Sequence, residues 1–152
     1  MLCPTDFSEG SQRAISQSID VAKQFGATIY LLHVIPILSV LPTDPELSLS
    51  LVQTHESVRF QSEQYLKDSA EQLQAEGVTA HTTIGFGDPA AVIAQTAEQK
   101  QADLIVIATY GKTGWRRFAF GSVTEKVVRF ATCPVLTIRS THARTTAGGE
   151  HS

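Results

Sequence analysis

Three glycines and three cations fall close together in one stretch of this chain. Gly111, Gly114 and Gly121 lie between an apolar run and a helix start, with Lys112, Arg116 and Arg117 among them. Glycine lets a backbone approach a ligand closely. A helix opening at Gly121-Ser122 offers free N–H groups and the positive end of a dipole. The cations add local charge to a chain whose net charge is −3. Anion binding is the chemistry this suits, with phosphate as the natural guest. The same residues equally suit a flexible loop followed by an ordinary helix cap.

Two nearby patterns imitate phosphate motifs and fail on spacing. Gly111-Lys112-Thr113 looks like the end of a P-loop, but Val106, inside a strand, stands where that motif needs its first glycine. Gly85-x-Gly87-x-x-Ala90 follows a strand and opens a helix, as a dinucleotide fingerprint does. The acidic residue expected about twenty positions further on is missing. Ile107 stands inside the next strand and Asp103 only at its start, so a Gly-x-Gly turn before a Pro-started helix is the better reading.

The elements that must position these residues are legible from periodicity. Thr28–Val34 and Leu104–Ala108 are continuous apolar runs, as strands covered on both faces are. Val135–Ile138 is a third strand begun by Pro134, Ala80–Ile84 a weaker one, and Met1–Cys3 the end of a fifth. Between them, Ser8 caps a helix over Glu9–Phe25 with an apolar stripe of Ala14, Ile15, Ile19, Ala22 and Phe25, ended by Gly26. A long polar helix over Leu47–Glu76 has Leu51, Val58, Leu66, Ala70 and Leu73 on its apolar side and stops at Gly77; its Glu63 and Lys67 are an i,i+4 pair. Asp88-Pro89 starts a helix to Gln99, and Ser122-x-x-Glu125 reads as a capping box for a helix over Val123–Arg129. Alternation of this kind predicts a single α/β domain, a parallel sheet with helices on both faces. Ligands of such sheets sit beyond the carboxyl ends of the strands, where strand order reverses. That selects Pro4-Thr5-Asp6, His33-Val34 and Ala108 to Gly111.

Composition narrows the function classes. The 152 residues are 42% hydrophobic and 18% charged, which describes a globular chain. No basic surplus exists for a duplex-DNA surface. The longest apolar stretch, Ile29–Leu41, is broken by His33, Pro36 and Ser39 and is too short to span a membrane. The N-terminus lacks a signal core, and Cys3 and Cys133 form neither a disulfide framework nor a metal knuckle. A soluble cytoplasmic protein is expected, with no nucleic-acid or membrane partner. The loop Pro36–Glu46 and the polar tail Ser140–Ser152 are expected to be irregular and disordered respectively. His33 reads as a satisfied histidine, and both cysteines as buried small residues.

Several segments together resemble the universal stress protein family over about Met1 to Arg139. They are Cys3-Pro4-Thr5-Asp6-Phe7-Ser8, Leu31-Leu32-His33-Val34, Gly87-Asp88-Pro89, Asp103 to Ile107, Gly121-Ser122-Val123-Thr124-Glu125-Lys126-Val127 and Thr132-Cys133-Pro134-Val135-Leu136. The ATP-binding branch of that family carries Gly-x-x-Gly, nine residues, then Gly-Ser or Gly-Thr; here Ala108 replaces the first glycine, and Gly111 and Gly121-Ser122 match.

The resemblance implies a doubly wound, Rossmann-like five-stranded parallel sheet of order 3-2-1-4-5, similar to the adenine nucleotide alpha hydrolases. Residues 1–139 would be the domain and 140–152 a tail. It also implies an ATP site, or one for AMP or another adenylate. In that site Asp6 and Val34 recognise the adenine or ribose, Ile107 and Ala108 flank the ribose, and the backbone N–H groups of Gly111, Gly121, Ser122 and Val123, with the Ser122 hydroxyl, hold the phosphates; Pro4, Thr5, Lys112 and Thr124 are further residues of the site. Mg²⁺ would be held through the phosphates, with no protein metal site. A homodimer through the edge strand Val135–Ile138 is implied too. The expected role is a nucleotide-binding stress-response protein without fast catalysis. The alternatives are a slow ATP hydrolase on the same fold and an interaction module that has lost nucleotide. A central strand as short as Met1–Cys3 suggests a start upstream of Met1.

Overall fold

The computed structural model describes residues 1–37, 45–109 and 121–139, with 45–50 as backbone only. Strands and helices alternate: β1 (Leu2–Pro4), α1 (Glu9–Phe25), β2 (Ile29–Ile35), α2 (Pro45–Ala75), β3 (Ala80–Phe86), α3 (Pro89–Gln99), β4 (Ile105–Ala108), α4 (Ser122–Phe130) and β5 (Val135–Ile138). All strand pairs are parallel and the order is β3-β2-β1-β4-β5, as expected. The proposed tail and the greater part of the proline-rich loop lie outside the described residues.

Local signals account for most boundaries. Ser8 Oγ accepts the Ser11 N–H at 3.2 Å and starts α1, and Gly26 ends it at φ +61°, where a side chain would be strained. Asp88 caps α3 by accepting the Ala91 N–H at 3.0 Å, with Pro89 in the first turn. β3 runs two residues further than its apolar pattern predicts, because Gly85 and Phe86 still pair with Val34 and Ile35.

The start of α4 differs from the expected capping box. Gly121 is the cap residue and Ser122 the first helical one, with no side-chain cap bond. The backbone decides this: the Gly121 carbonyl accepts the Glu125 N–H at 3.0 Å, which places the first turn one residue earlier. Glu125 pairs with Arg129 at 3.3 Å instead of reaching back to the cap.

Alternate strand residues feed two cores. Leu2, Leu32, Ile105 and Ile107 pack with Ala90, Ile93, Ala97 and Val127 from α3 and α4. Cys3, Leu31, Val106 and Ala108 pack on the other face with Ala14, Ile15 and Ala22 of α1 and with Leu66, Ala70 and Leu73 of α2. Each large aliphatic side chain removed from water in this way contributes about 1.5–3 kcal/mol.

The long helix departs from its predicted stripe. Leu66, Ala70 and Leu73 are buried, but Leu51 is only half-buried and Val58 is exposed. Length explains the split. The 31 residues of α2 extend about 46 Å at about 1.5 Å per residue. The seven residues of β2 cover only about 23 Å. Its N-terminal half therefore projects past the sheet. Among the described residues its ion pairs are Arg59–Glu63 at 2.9 Å and Lys67–Glu71 at 3.8 Å, in place of the expected Glu63–Lys67.

Gly85 has a packing reason apart from any fingerprint. A methyl placed on it would collide with Cγ1 of Val92 on α3, and would touch Leu32 at 3.6 Å and Val34 at 3.8 Å. The absent side chain lets α3 seat against β2 and β3. Gly85→Ala is expected to lower stability by about 1–3 kcal/mol as an overpacking change. Val92→Ala in the same chain should recover much of the loss. Urea unfolding of the two variants measures this, and an unchanged midpoint for Gly85→Ala would contradict it.

Candidate functional site

The site begins with a proline in a central strand. Leu2 N–H donates to Leu104 O at 2.8 Å, so in the β1–β4 ladder the N–H two residues on would face the Val106 carbonyl. That position is Pro4, which has no N–H to give. The β1–β4 pairing is Leu2 with Ile105 alone, while β1 stays paired to β2 through Pro4–Leu32. β1 and β4 part where strand order reverses, and a cavity of about 530 Å³ opens there.

This cavity is lined by Pro4, Thr5, Asp6, Val34, Ile107 and Ala108 from the strand ends, and by Gly121, Ser122, Val123 and Thr124 from the start of α4. These are the residues singled out from sequence, except Gly111 and Lys112, which lie outside the described residues, as do Gly114, Arg116 and Arg117. His33, Pro36, Val58, Pro89 and Ile93 line it as well. Of these, Pro89 and Ile93 had a usable signal, since the Asp88-Pro89 helix start follows a strand end. Val58 had none, because only the overshoot of α2 brings it there.

The loop after β1 is held from several sides. Thr5 N–H donates to Leu32 O at 2.8 Å, and the Thr5 carbonyl accepts from His33 Nδ1 at 2.8 Å. A carbonyl can only accept, so His33 carries its proton on Nδ1. This is the satisfied histidine expected. Thr5 Oγ1 donates to Ser11 Oγ at 3.0 Å and accepts the Phe7 N–H at 3.0 Å. Thr5 therefore fixes the loop with both backbone groups and its hydroxyl engaged. Asp6 is half-buried at the cavity wall, and its Oδ1 accepts the Ser8 N–H at 3.1 Å.

Phe7 stands at φ +61°. A bulky residue there is a true outlier and costs about 1–3 kcal/mol, which the surrounding bonds must hold in place. Its ring lies 4.4 Å from that of His33 and 5.1 Å from that of Tyr65 on α2, centroid to centroid. Nothing in the sequence pattern signals this left-handed residue.

The start of α4 lines the same cavity with Gly121, Ser122, Val123 and Thr124. Ser122, Val123 and Thr124 have no intrahelical acceptor for their N–H groups, and among the described residues no side chain caps the helix. Such a start favours an anion. Thr124 Oγ1 donates to Ala108 O at 2.7 Å and ties α4 to the end of β4. The Ala108 methyl is packed in the core under α1, so the fold accommodates it. The cavity thus combines an apolar lining, a carboxylate and backbone donors that no described side chain caps. Its volume lies within the range of about 300–1,000 Å³ usual for small-molecule sites. Among the described residues, no group of acidic, histidine or cysteine side chains could hold a metal, and no helix is long and apolar enough to cross a membrane.

Comparison with known proteins agrees with this architecture. The family model described as the universal stress protein family matches residues 1–139. A universal stress protein of Methanocaldococcus jannaschii is 37% identical over 139 residues, covering 91% of this chain and 81% of its own length. The solved structure of UspA from Lactobacillus plantarum superimposes with a TM-score of 0.81 at 27% identity, covering 91% of this chain and 95% of its own. The structure of a universal stress protein from Archaeoglobus fulgidus in complex with dAMP shares the fold at a TM-score of 0.64 and 20% identity, over 90% of this chain and 94% of its own.

Neither thiol faces this cavity. Cys3 is sealed between β1 and α1, where burial pushes its thiol up to about 12 against a weaker opposing hydrogen bond with Ser18. Cys133 is only half-buried, and desolvation raises its thiol more mildly. The folded state thus disfavours the Cys3 thiolate. The unfolded chain releases that proton more readily above its ordinary value of 9.0. Stability from this group is complete below about pH 9 and is lost as pH climbs towards 12. Cys3→Ala should flatten the alkaline fall in stability, read by urea unfolding between pH 8 and about pH 10.5. At pH 8 native Cys3 should resist alkylation that modifies it in urea.

Proposed function

This chain belongs to the universal stress protein family, and on that premise we propose that it binds an adenine nucleotide, ATP with Mg²⁺ foremost, as a homodimeric cytoplasmic stress-response protein. Residues 1–139 would form the working domain and 140–152 a polar tail. The observation that carries the reading is the cavity at the parting of β1 and β4, whose wall holds both Asp6 and the start of α4, which no described side chain caps. The dAMP complex of the Archaeoglobus fulgidus relative supports an adenylate as the class of ligand.

In this reading the base and ribose lie in the apolar middle. Asp6 accepts a hydrogen bond from the base or ribose, Val34 contributes its backbone and apolar contact, and Pro4 and Thr5 complete the wall. Ile107 and Ala108 flank the ribose. The backbone N–H groups of Ser122, Val123 and Thr124 meet the phosphates, with the Ser122 hydroxyl beside them. Gly111, Gly121 and Lys112 would add to the phosphate end. Mg²⁺ would neutralise the phosphates and be held chiefly by them and by water.

Isothermal titration with Mg-ATP tests the binding. Saturable uptake is expected, weakened about tenfold or more by Asp6→Ala, about the worth of one charged hydrogen bond. No uptake at millimolar nucleotide would overturn the reading. If Ala108→Gly alone confers binding, the natural chain is an interaction module without nucleotide.

The homodimer rests on the sheet edge. β5 is an end strand, and Leu136, Val128 and Phe130 are exposed on it and on α4. An apolar edge with open backbone groups is a pairing hazard that a two-fold partner removes. Sedimentation at low micromolar concentration should give a dimer, and Leu136→Lys should shift it towards monomer. A clean monomer for the natural chain would count against the assembly.

A further inference from the structure

We propose that Phe7 is a positioning residue for the nucleotide: its left-handed backbone, gripped by its ring between His33 and Tyr65, sets the direction in which Asp6 faces the cavity. This rests on the adenylate reading above, taken with Asp6 at the base, and adds a specificity element to it.

The argument starts from a mismatch. At φ +61° glycine would sit without strain, yet the chain carries a large aromatic there. What glycine lacks is the ring, and the ring has two partners from separate elements: His33 at the end of β2 and Tyr65 on α2. The backbone on either side is also fixed. The Phe7 N–H is held by Thr5 Oγ1, and the Ser8 N–H turns back to Asp6 Oδ1. That last bond spans the left-handed bend at Phe7, so the conformation of Phe7 sets where the Ser8 amide meets the Asp6 side chain. One carboxylate oxygen is thereby pinned, and with it the rotation of the group. The ring grip holds the bend, so the seat of α2 and the end of β2 both act on the orientation of Asp6.

Phe7 would then govern recognition at the base and ribose end and leave the phosphate end at α4 alone. Removing the ring should therefore erode discrimination between bases more than the grip on phosphates. It should also act only through Asp6, so the two substitutions should not be additive.

The test uses the full chain with Mg-ATP and Mg-GTP as probes, titrated against the natural protein, Phe7→Gly, Asp6→Ala and the double variant. Phe7→Gly suits the backbone, and its fold is checked by thermal unfolding. Expected for Phe7→Gly is a loss of about tenfold in ATP affinity with less than about threefold in GTP affinity. In the Asp6→Ala background the same change should cost less than about twofold. Equal losses for both nucleotides, an unchanged ATP preference, or equal cost in both backgrounds would each overturn the proposal. If Asp6→Ala leaves no measurable binding, the ATP to GTP ratio of Phe7→Gly decides. If Phe7→Gly does not fold, Tyr65→Leu, which removes one side of the grip, must lower the ATP preference in the same direction, and an unchanged ratio there is a refutation. A natural protein that takes up neither nucleotide defeats the adenylate reading itself, an outcome separate from all of these.

Discussion

A missing N–H at Pro4 is the constraint on which the site depends. A central parallel strand ordinarily bonds to neighbours on both sides, and β1 does so for only part of its length. Its three residues are buried by the sheet and the helix layers. Where the proline interrupts the ladder to β4, the two strands separate and their ends form two walls. Everything that lines the cavity is placed relative to that parting. Thr5 roots the first wall to β2 and α1, and the Thr124–Ala108 bond roots the second wall to α4.

The two helices that start beside the cavity are electrically different. α3 is capped by the Asp88 carboxylate, which also lies 3.7 Å from the Lys126 ammonium. Its dipole end is satisfied locally. α4 starts at a glycine, with no side chain among the described residues to accept its first amides. An anion entering the crevice therefore finds its partners on the α4 side, and the α3 side, through Pro89 and Ile93, offers only an apolar surface. In the proposed reading, this asymmetry would give a nucleotide one orientation along the crevice.

Much of this was legible in the sequence, for reasons that differ by element. β2 and β4 were visible because strands buried on both faces leave unbroken apolar runs. The starts of α1 and α3 were visible because Ser8 and Asp88 carry the side-chain oxygen that favours a helix start. Pro4, Thr5, Asp6, Val34, Ala108, Gly121 and Ser122 could be named because the parallel topology fixes where strand ends gather, whereas Ile107, Val123, Thr124 and the strand order itself rest on family resemblance. Other features depend on contacts between distant segments and leave no local trace. The overshoot of α2 that brings Val58 to the cavity depends on the height of the sheet. The one-residue shift at α4 follows from backbone bonding at Gly121, against a side-chain pattern that favours Ser122. Gly85 imitated a nucleotide motif while answering to Val92, and the bend at Phe7 is maintained by partners in two other elements.

Gly85 also has a consequence for how this sequence can drift. On β3, His81 and Thr82 are exposed and can accept many replacements. Three positions further on, one added methyl on the same strand collides with Val92 on α3. A change there costs less once Val92 has shrunk, so the order of substitutions matters. β3 is thus permissive at its open end and locked where it supports the crevice, within a single seven-residue strand.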